Sequence, residues 1–243
     1  MPNVVQTAAN TFFQQAATTT IQTAGLPIAG NAIAVAVTIR RSAAHETVAS
    51  IADNQGVGNV YSSVVTAVSS ATVFSAGAEI WECTSLGVVG TSPFIVTVTY
   101  SAGTMNGQEA GLAEIHGATT IDQTGTNNDG GSTRTSGNVT ASSGNVGTND
   151  VVIAAIGLAA FHNTSQALTS PPSSGYTSIF IGDPNAGNQE TGAGYKALSA
   201  SEISAANWTW TTADGYAAVI ATFRGSVAVS TFGPMPRQLY IMP

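Results

Sequence analysis

Charged side chains are scarce in this chain. Only 8% of its 243 residues are Asp, Glu, Lys or Arg, whereas an average soluble domain has about 25%. Lys196 is the sole lysine, the six basic residues are spread from Arg40 to Arg237, and the formal net charge is -7. Nucleic acid requires a continuous basic surface, so we expect no nucleic-acid partner. Most of the surface must then consist of neutral Ser, Thr, Asn, Gln and Gly.

Cysteine pairs, a secretion signal and long apolar runs are also lacking. Cys83 is the only cysteine, which excludes an internal disulfide and a zinc ribbon and favours a small buried thiol over a reactive nucleophile. Residues 1–20 contain neither the basic start nor the apolar run of a signal peptide. The apolar stretches Leu26 to Ile39 and Val151 to Phe161 are too short to span a membrane. We therefore expect no membrane partner.

Helix signals are scarce, whereas the alternation typical of strands recurs along the chain. Ala32 to Arg40 places Ile and Val on one face and Ala or Thr on the other. Asp150 to Ala160 and Tyr216 to Arg224 are apolar on both faces, which predicts central strands. Further strands are predicted at Thr18–Gln22, Thr47–Ala52, Val60–Val68, Val73–Cys83, Pro93–Ser101, Gly111–Ile115, Tyr176–Ile181, Glu190–Leu198 and Asn207–Thr212. This pattern indicates an all-β fold, a two-sheet antiparallel β-sandwich of jelly-roll type.

The polar and Gly-rich segments predict where the strands are interrupted. Thr124 to Asn149 is almost wholly Gly, Ser, Thr, Asn and Asp, and it is predicted to be a long surface loop with at most one short edge strand around Gly137–Ala141. Asp214-Gly215 is predicted to be a hairpin turn that joins two strands. No internal repeat is evident. We expect one sandwich over residues 21–225, with an N-terminal extension at 1–20 and an extended C-terminal arm at 226–243.

The C-terminal arm combines prolines, which disfavour helix, with an apolar end. Such a segment is costly to leave in water, so we expect it to pack on a neighbouring subunit or on its own domain. The predicted contact residues are Pro234, Pro236, Arg237, Leu239, Tyr240, Ile241 and Met242.

No pattern of catalytic residues is evident. Sandwich glycosidases use two convergent carboxylates, but Glu79 and Glu82 are an odd number of residues apart, as are Glu109 and Glu114. Such pairs point to opposite faces of a strand, and we expect solvated or edge carboxylates. No GxSxG turn marks a serine nucleophile. We therefore expect no enzyme, no catalytic residues and no cofactor.

Metal ligands are equally unpatterned. His45, His116 and His162 have no ligand spacing. The oxygen-rich turns at Asp53-Asn54-Gln55 and Asn127-Asn128-Asp129-Gly130 lack the spacing of a calcium-binding loop and are ordinary Asx turns on this interpretation. We therefore expect no metal site.

The three tryptophans leave two interpretations open. Trp208 and Trp210 share a face of one predicted strand, as a sugar-stacking platform requires. Trp81 could join that platform, and core aromatics between two sheets explain the same pattern.

Several blocks together resemble jelly-roll modules of bacteriophage virion proteins, in which a Gly-Asn strand is followed by I-x-D-x-x-G-N-x-Y. The blocks are Gly30–Val37, Ser50–Gly56, Gly58–Tyr61, Glu79–Trp81, Ile95–Val98, Glu114–Gly117 and Ala217–Arg224. Val57-Gly58 departs from the pattern by lengthening the turn. The resemblance has no catalytic residues to transfer.

The resemblance implies a virion structural protein on the capsid surface, a decoration or cement protein. Such a protein forms a homodimer or homotrimer and contacts the major capsid protein or other virion proteins. The alternative is a carbohydrate-binding module for receptor binding or adhesion on a phage tail, a fibre or a cell surface.

Overall fold

The computed structural model describes residues 2–10, 16–41, 46–56, 58–69, 75–87, 89–101, 105–141, 150–159, 168, 172–173, 175–182 and 191–225. Within these residues the chain contains strands and no helix, which confirms the all-β antiparallel sandwich. The strands are β1 Asn3–Asn10, β2 Thr18–Gln22, β3 Ala32–Arg41, β4 Val48–Asp53, β5 Ser62–Val68, β6 Ser75–Cys83, β7 Ile95–Tyr100, β8 Met105–His116, β9 Ala118–Thr135, β10 Val139–Thr140, β11 Val151–Leu158, β12 Thr177–Gly182, β13 Thr191–Ala197, β14 Ala205–Ala206 and β15 Thr209–Gly225.

The described strands form four antiparallel sheets. Sheet I has the order β1-β8-β3-β6-β5, and sheet II has the order β2-β7-β4. Sheet III has the order β9-β15-β11-β13-β12, and sheet IV pairs β10 with β14. Sheets I and II contain all the strands up to His116, and we call them the first sandwich. Sheets III and IV contain the strands from Ala118 onward and form the second sandwich.

Both sandwiches are built on the same nested pairing. In the first, β1 pairs with β8, β2 with β7 and β3 with β6. In the second, β9 pairs with β15, β10 with β14 and β11 with β13. This is the pairing of a long hairpin rolled into a jelly roll. The described residues therefore contain this order of pairing twice, and β1 belongs to sheet I through its pairing with β8.

The two sandwiches pack sheet I against sheet III. The strands that lie over each other are β1 and β12 at one edge, β3 and β11 in the middle, and β5 and β9 at the other edge. Close approach is possible because sheet I presents mainly alanine, including Ala34, Ala36 and Ala78, to Val151 and Ile153 of sheet III.

The alternation in β3 explains how sheet I is buried on both faces. Ile33, Val35, Val37 and Ile39 pack against sheet II, while the alanines between them face sheet III. Burial of one such Ile or Val side chain contributes about 1.5–3 kcal/mol. The large face of the strand therefore builds the core of one sandwich, and its small face forms the contact between the two.

Two local predictions are wrong. Within the predicted loop Thr124 to Asn149, residues 124–135 are strand, because β9 continues to Thr135 by pairing with β15, and residues 142–149 lie outside the described part of the chain. The main-chain hydrogen bonds of β9 stabilise it although its side chains are polar and largely exposed. The predicted hairpin at Asp214-Gly215 is not formed, since β15 runs through it as one strand. The pairing register with β9 shifts at these two residues, so the dipeptide introduces an irregularity of the β-bulge kind.

Candidate functional site

Trp208 and Trp210 are core residues. Trp208 is 1% exposed and Trp210 is 4% exposed, and both pack in the core between sheet III, sheet IV and the neighbouring loops. The Trp210 ring lies 5.3 Å from the ring of Tyr216, centroid to centroid. Neither indole presents a face to a ligand, so the structure has the core arrangement and not the sugar-stacking platform. The predicted contact residues Pro234, Pro236, Arg237, Leu239, Tyr240, Ile241 and Met242 lie outside the described residues.

Many of the scarce charges lie inside the protein. The chain has 13 acidic residues, and the following acids are buried together with the basic residue Arg40: Glu46, Glu79, Glu109, Glu114 and Asp150. The expectation of solvated or edge carboxylates is therefore wrong for Glu79, Glu109 and Glu114. Their strands, β6 and β8, have a neighbour on each side in sheet I. An already low charge is thus lower still at the surface.

Glu114 is held by donors from three segments. Its Oε1 atom accepts hydrogen bonds from the backbone N–H of Ile28 at 2.8 Å and from Asn31 Nδ2 at 2.5 Å. Its Oε2 atom accepts one from Gln6 Nε2 at 2.7 Å. The side-chain oxygen of Asn31 lies 3.0 Å from Nδ1 of the exposed His116. A carboxylate with both oxygens occupied by donors acts as a fixed anchor for the loop that carries Ile28.

Glu79 and Glu109 also connect sheet I to a neighbouring sheet through hydrogen bonds. Glu79 accepts hydrogen bonds from the backbone N–H of Val48 and from Trp81 Nε1, each at 2.9 Å, and so ties sheet I to sheet II. Glu109 accepts a hydrogen bond from the hydroxyl of Thr191 in sheet III. Glu109 thus lies on the face of β8 toward sheet III. Glu114 lies on the opposite face, toward the interior of the first sandwich. The predicted divergence of this pair is confirmed, and the two do not share a cleft.

The Asp53 turn is closed by hydrogen bonds. Oδ1 accepts from the backbone N–H of Gln55 at 2.9 Å, which is an Asx turn. Oδ2 accepts from Asn59 Nδ2 at 2.9 Å and from the Tyr61 hydroxyl at 3.1 Å. Burial of Tyr61 beside this carboxylate raises the pKa of its phenol far above the usual range. Donors thus surround Asp53, and they stabilise the loop between β4 and β5.

The remaining candidate residues lie apart. His116 is exposed at the end of β8, while His45 and His162 lie outside the described residues. The Cys83 thiol is buried, and burial raises its pKa, which disfavours the reactive thiolate. The described part of the chain contains no cluster of three or more His, Cys, Asp or Glu side chains able to hold a metal ion. It also contains no helix long and apolar enough to cross a membrane.

An exposed apolar surface lies at one end of the molecule. Five large apolar side chains are exposed among the described residues: Val5, Leu26, Ile28, Val60 and Ile203. All five lie near the end at which β3, β5 and β11 begin and β8, β13 and β15 finish. Residues 23–31, 54–61 and 84–94 connect strands there, and we call them the tip loops. They contain no Asp, Glu, Lys or Arg.

The tip loops are joined laterally. The backbone N–H of Gly30 donates to Leu86 O at 2.7 Å, and that of Leu86 donates to Asn31 O at 2.8 Å. The N–H of Gly87 donates to Asn59 Oδ1 at 2.8 Å. These bonds connect the loop with Ile28 to the loop with Val60 through residues 86 and 87. Sequence reasoning missed this surface, and its only signal was apolar residues in turn segments rich in glycine.

The chain matches no protein-family model, no curated protein and no solved structure. The tip loops are therefore the candidate functional surface on their geometry alone. A neutral apolar surface on a rigid sandwich suits contact with another protein, since such contacts exclude water from apolar side chains.

Proposed function

We propose that this chain is a structural protein of a bacteriophage particle, a decoration or cement protein on the capsid surface that works by protein–protein contact. The observation that carries the proposal is the uncharged set of tip loops, with Leu26, Ile28 and Val60 exposed. Apolar side chains grouped on uncharged loops suit association with another protein, because such contacts exclude water from them. Jelly rolls are a common architecture of viral shells.

The buried acids support a scaffold role. Glu114 and Glu79 accept hydrogen bonds from loops and strands around them, and such bonds to charged groups are strong. They hold the loops of the first sandwich on its strands. A rigid end with few surface charges is suited to docking on a neutral shell protein.

The direct experiment is to look for the chain in virus particles. Phage particles purified from the source of the sequence should contain it in fixed proportion to the major capsid protein, as measured by mass spectrometry. Recombinant chain should bind particles stripped of it, and Ile28→Glu should abolish this binding. Thr20→Glu, at an exposed position on the outer face of sheet II, is the matched control and should bind normally. Absence of the chain from purified particles would overturn the proposal.

Oligomerisation is the second part of the proposal. We propose a homodimer or homotrimer in which the apolar C-terminal residues, among them Leu239 and Ile241, contact a neighbouring subunit. Light scattering of the full chain should give a mass of two or three subunits, and Leu239→Asp should reduce it to one. The matched control is Gln238→Asp, which adds the same charge without removing an apolar side chain. An unchanged mass in Leu239→Asp would contradict this contact.

Carbohydrate binding remains the alternative function, and with Trp208 and Trp210 in the core it requires other residues. A glycan array with the full chain tests it. Binding to a defined glycan together with absence from particles would favour the alternative.

A further inference from the structure

The exposed imidazole of His116 is connected to the buried carboxylate of Glu114 through the side chain of Asn31. Asn31 is 2% exposed. Its Nδ2 atom lies 2.5 Å from Glu114 Oε1, and its Oδ1 atom lies 3.0 Å from His116 Nδ1. The backbone N–H of Ile28 donates to the same Oε1 atom at 2.8 Å. The imidazole is thus linked to the tip loop that carries the exposed side chains of Leu26 and Ile28.

The carboxylate determines which ring nitrogen of His116 carries a proton. Oε1 of Glu114 accepts two N–H bonds, and Oε2 accepts one from Gln6. Asn31 must therefore turn its NH₂ group to this acceptor and its carbonyl oxygen to the imidazole. Because that oxygen accepts, Nδ1 of His116 holds the proton. Nε2 of the neutral ring then has a lone pair and points away from Asn31, which is the only hydrogen-bond partner of the ring among the described residues.

The surface around His116 contains a buried anion and no described cation. His116 and Glu114 lie on the same face of β8, since residues two apart on a strand share a face. On that face β1, β2, the first half of β3 and the tip loops contain no Asp, Glu, Lys, Arg or His. The described donors to Glu114 are neutral. On the other side of sheet I, Asp122 and Arg224 of the second sandwich pair with each other at 2.5 Å.

We infer that the tip binds an arginine or lysine side chain of its protein partner, with His116 Nε2 as the acceptor. Such a side chain has N–H donors and no acceptor, which matches a ring nitrogen with a lone pair. Its aliphatic stem can pack on Leu26 and Ile28 while its charged end remains at the imidazole. The carboxylate of Glu114 and the formal net charge of -7 also attract a cation. The inference rests on the proposed function, because it names the partner chemistry of the same tip loops.

Protonation of His116 reverses this preference. Imidazoles change charge between about pH 5 and 8, and the cationic ring has a donor on each nitrogen. The cationic ring offers arginine no acceptor and repels it. Binding of a cation should therefore weaken as pH falls, whereas binding of a carboxylate should strengthen. The direction of the pH dependence thus distinguishes a basic partner from an acidic one.

Nitrogen NMR of the full chain tests the assigned proton. The chain is labelled with isotope-enriched histidine, and the spectrum of His116→Gln identifies the His116 signals by their loss. At about pH 8, where a free imidazole is neutral, we expect the proton on Nδ1 and the lone pair on Nε2. A proton on Nε2 would overturn the inference.

Binding is measured with N-acetyl-leucyl-arginine amide, followed by the amide signals of the tip loops. The natural chain should bind this peptide at about pH 8 and bind it about tenfold more weakly at about pH 5. His116→Phe keeps an aromatic ring without an acceptor and should bind weakly at both. His116→Gln is the matched control, because its NH₂ group can donate to Asn31 while its carbonyl oxygen replaces Nε2. It should bind at both pH values.

Three results of the peptide experiment would overturn the inference. These are equal affinity for N-acetyl-leucyl-glutamate amide at about pH 8, tighter binding of the arginine peptide at the lower pH, and a response to it that is the same in His116→Phe. None of these measurements uses phage particles. A chain that is absent from particles but binds the arginine peptide as expected would overturn the virion role and leave the assignment of His116 intact.

Discussion

The carboxylate of Glu109, on β8 of the first sandwich, accepts a hydrogen bond from the hydroxyl of Thr191, on β13 of the second. Glu109 is 0% exposed and Thr191 is 3% exposed. The bond lies in a contact that otherwise consists largely of alanine, valine and isoleucine. Gly182 makes room for it, since a Cβ atom there would overlap the Glu109 carboxylate. This bond is satisfied at one alignment of the two sheets only.

Gly182→Ala should therefore destabilise the protein. The added methyl group displaces the Glu109 carboxylate from Thr191, and overpacking of this kind costs about 1–3 kcal/mol. Urea unfolding measures the loss as a lower midpoint. Gly25→Ala is the matched control, because no atom of the described residues lies within 4 Å of a Cβ built there, and it should leave the midpoint nearly unchanged. An equal effect of the two substitutions would contradict the assignment of Glu109.

Glu114→Gln should lower the free energy of unfolding by about 1–3 kcal/mol. The amide NH₂ would face a donor, either Asn31 and the Ile28 N–H or Gln6, where the carboxylate now accepts. Glu202→Gln makes the same change in a partly exposed ion pair with Lys196, 2.6 Å between charged atoms. Because exposed pairs contribute about 0–1 kcal/mol, this control should have a small effect in the same denaturation experiment. A larger loss in Glu202→Gln would contradict the anchor role of Glu114.

Glu82→Gln should stabilise the protein in a pH-dependent way. Burial raises the pKa of the Glu82 carboxyl, and its Oε2 atom has no hydrogen-bond partner among the described residues. The folded state therefore holds this proton to higher pH than the unfolded state does, and the natural protein loses stability as pH rises through the folded pKa. The variant is neutral throughout. Its urea midpoint should exceed the natural one at pH 7 and equal it below about pH 4. A lower midpoint for the variant at pH 7 would contradict the pKa shift.

Trp208→Ala should cost about 3–5 kcal/mol, the usual loss for a large aromatic side chain removed from a core. Ile203→Ala, at a side chain 55% exposed, should change stability by no more than about 0.5 kcal/mol. Thermal unfolding compares the two. If Trp208→Ala unfolds like the natural chain, the indole is not a core residue. A loss of glycan binding in this variant reports loss of folding unless its unfolding is shown to be unchanged.

Strands with their own apolar alternation could be predicted from the sequence. Thr18–Gln22 is confirmed at both ends, and the predicted strand from Ala32 extends one residue further. β9 could not be predicted in this way, because its stability comes from the ladder to β15, which no local pattern reports. The duplicated topology was also missed, since the two sandwiches share an order of strand pairing rather than a repeated sequence.

The candidate site also has features that the local sequence predicts and features that only the folded chain determines. The sequence shows that charge is scarce and that Glu109 and Glu114 diverge, because strand geometry fixes which face each residue occupies. It does not show that these acids are buried, since burial depends on sheets from distant parts of the chain. Likewise, only the folded chain brings Leu26, Ile28 and Val60 to one end.

The sequence by itself determined the strand content, the alternation of large and small side chains and the shortage of charge, all of which are local or additive properties. The tertiary structure decided which alanine face meets which sheet, where the few carboxylates find donors and which apolar side chains remain in water. Those outcomes depend on contacts between residues far apart in the chain, and no local pattern encodes them.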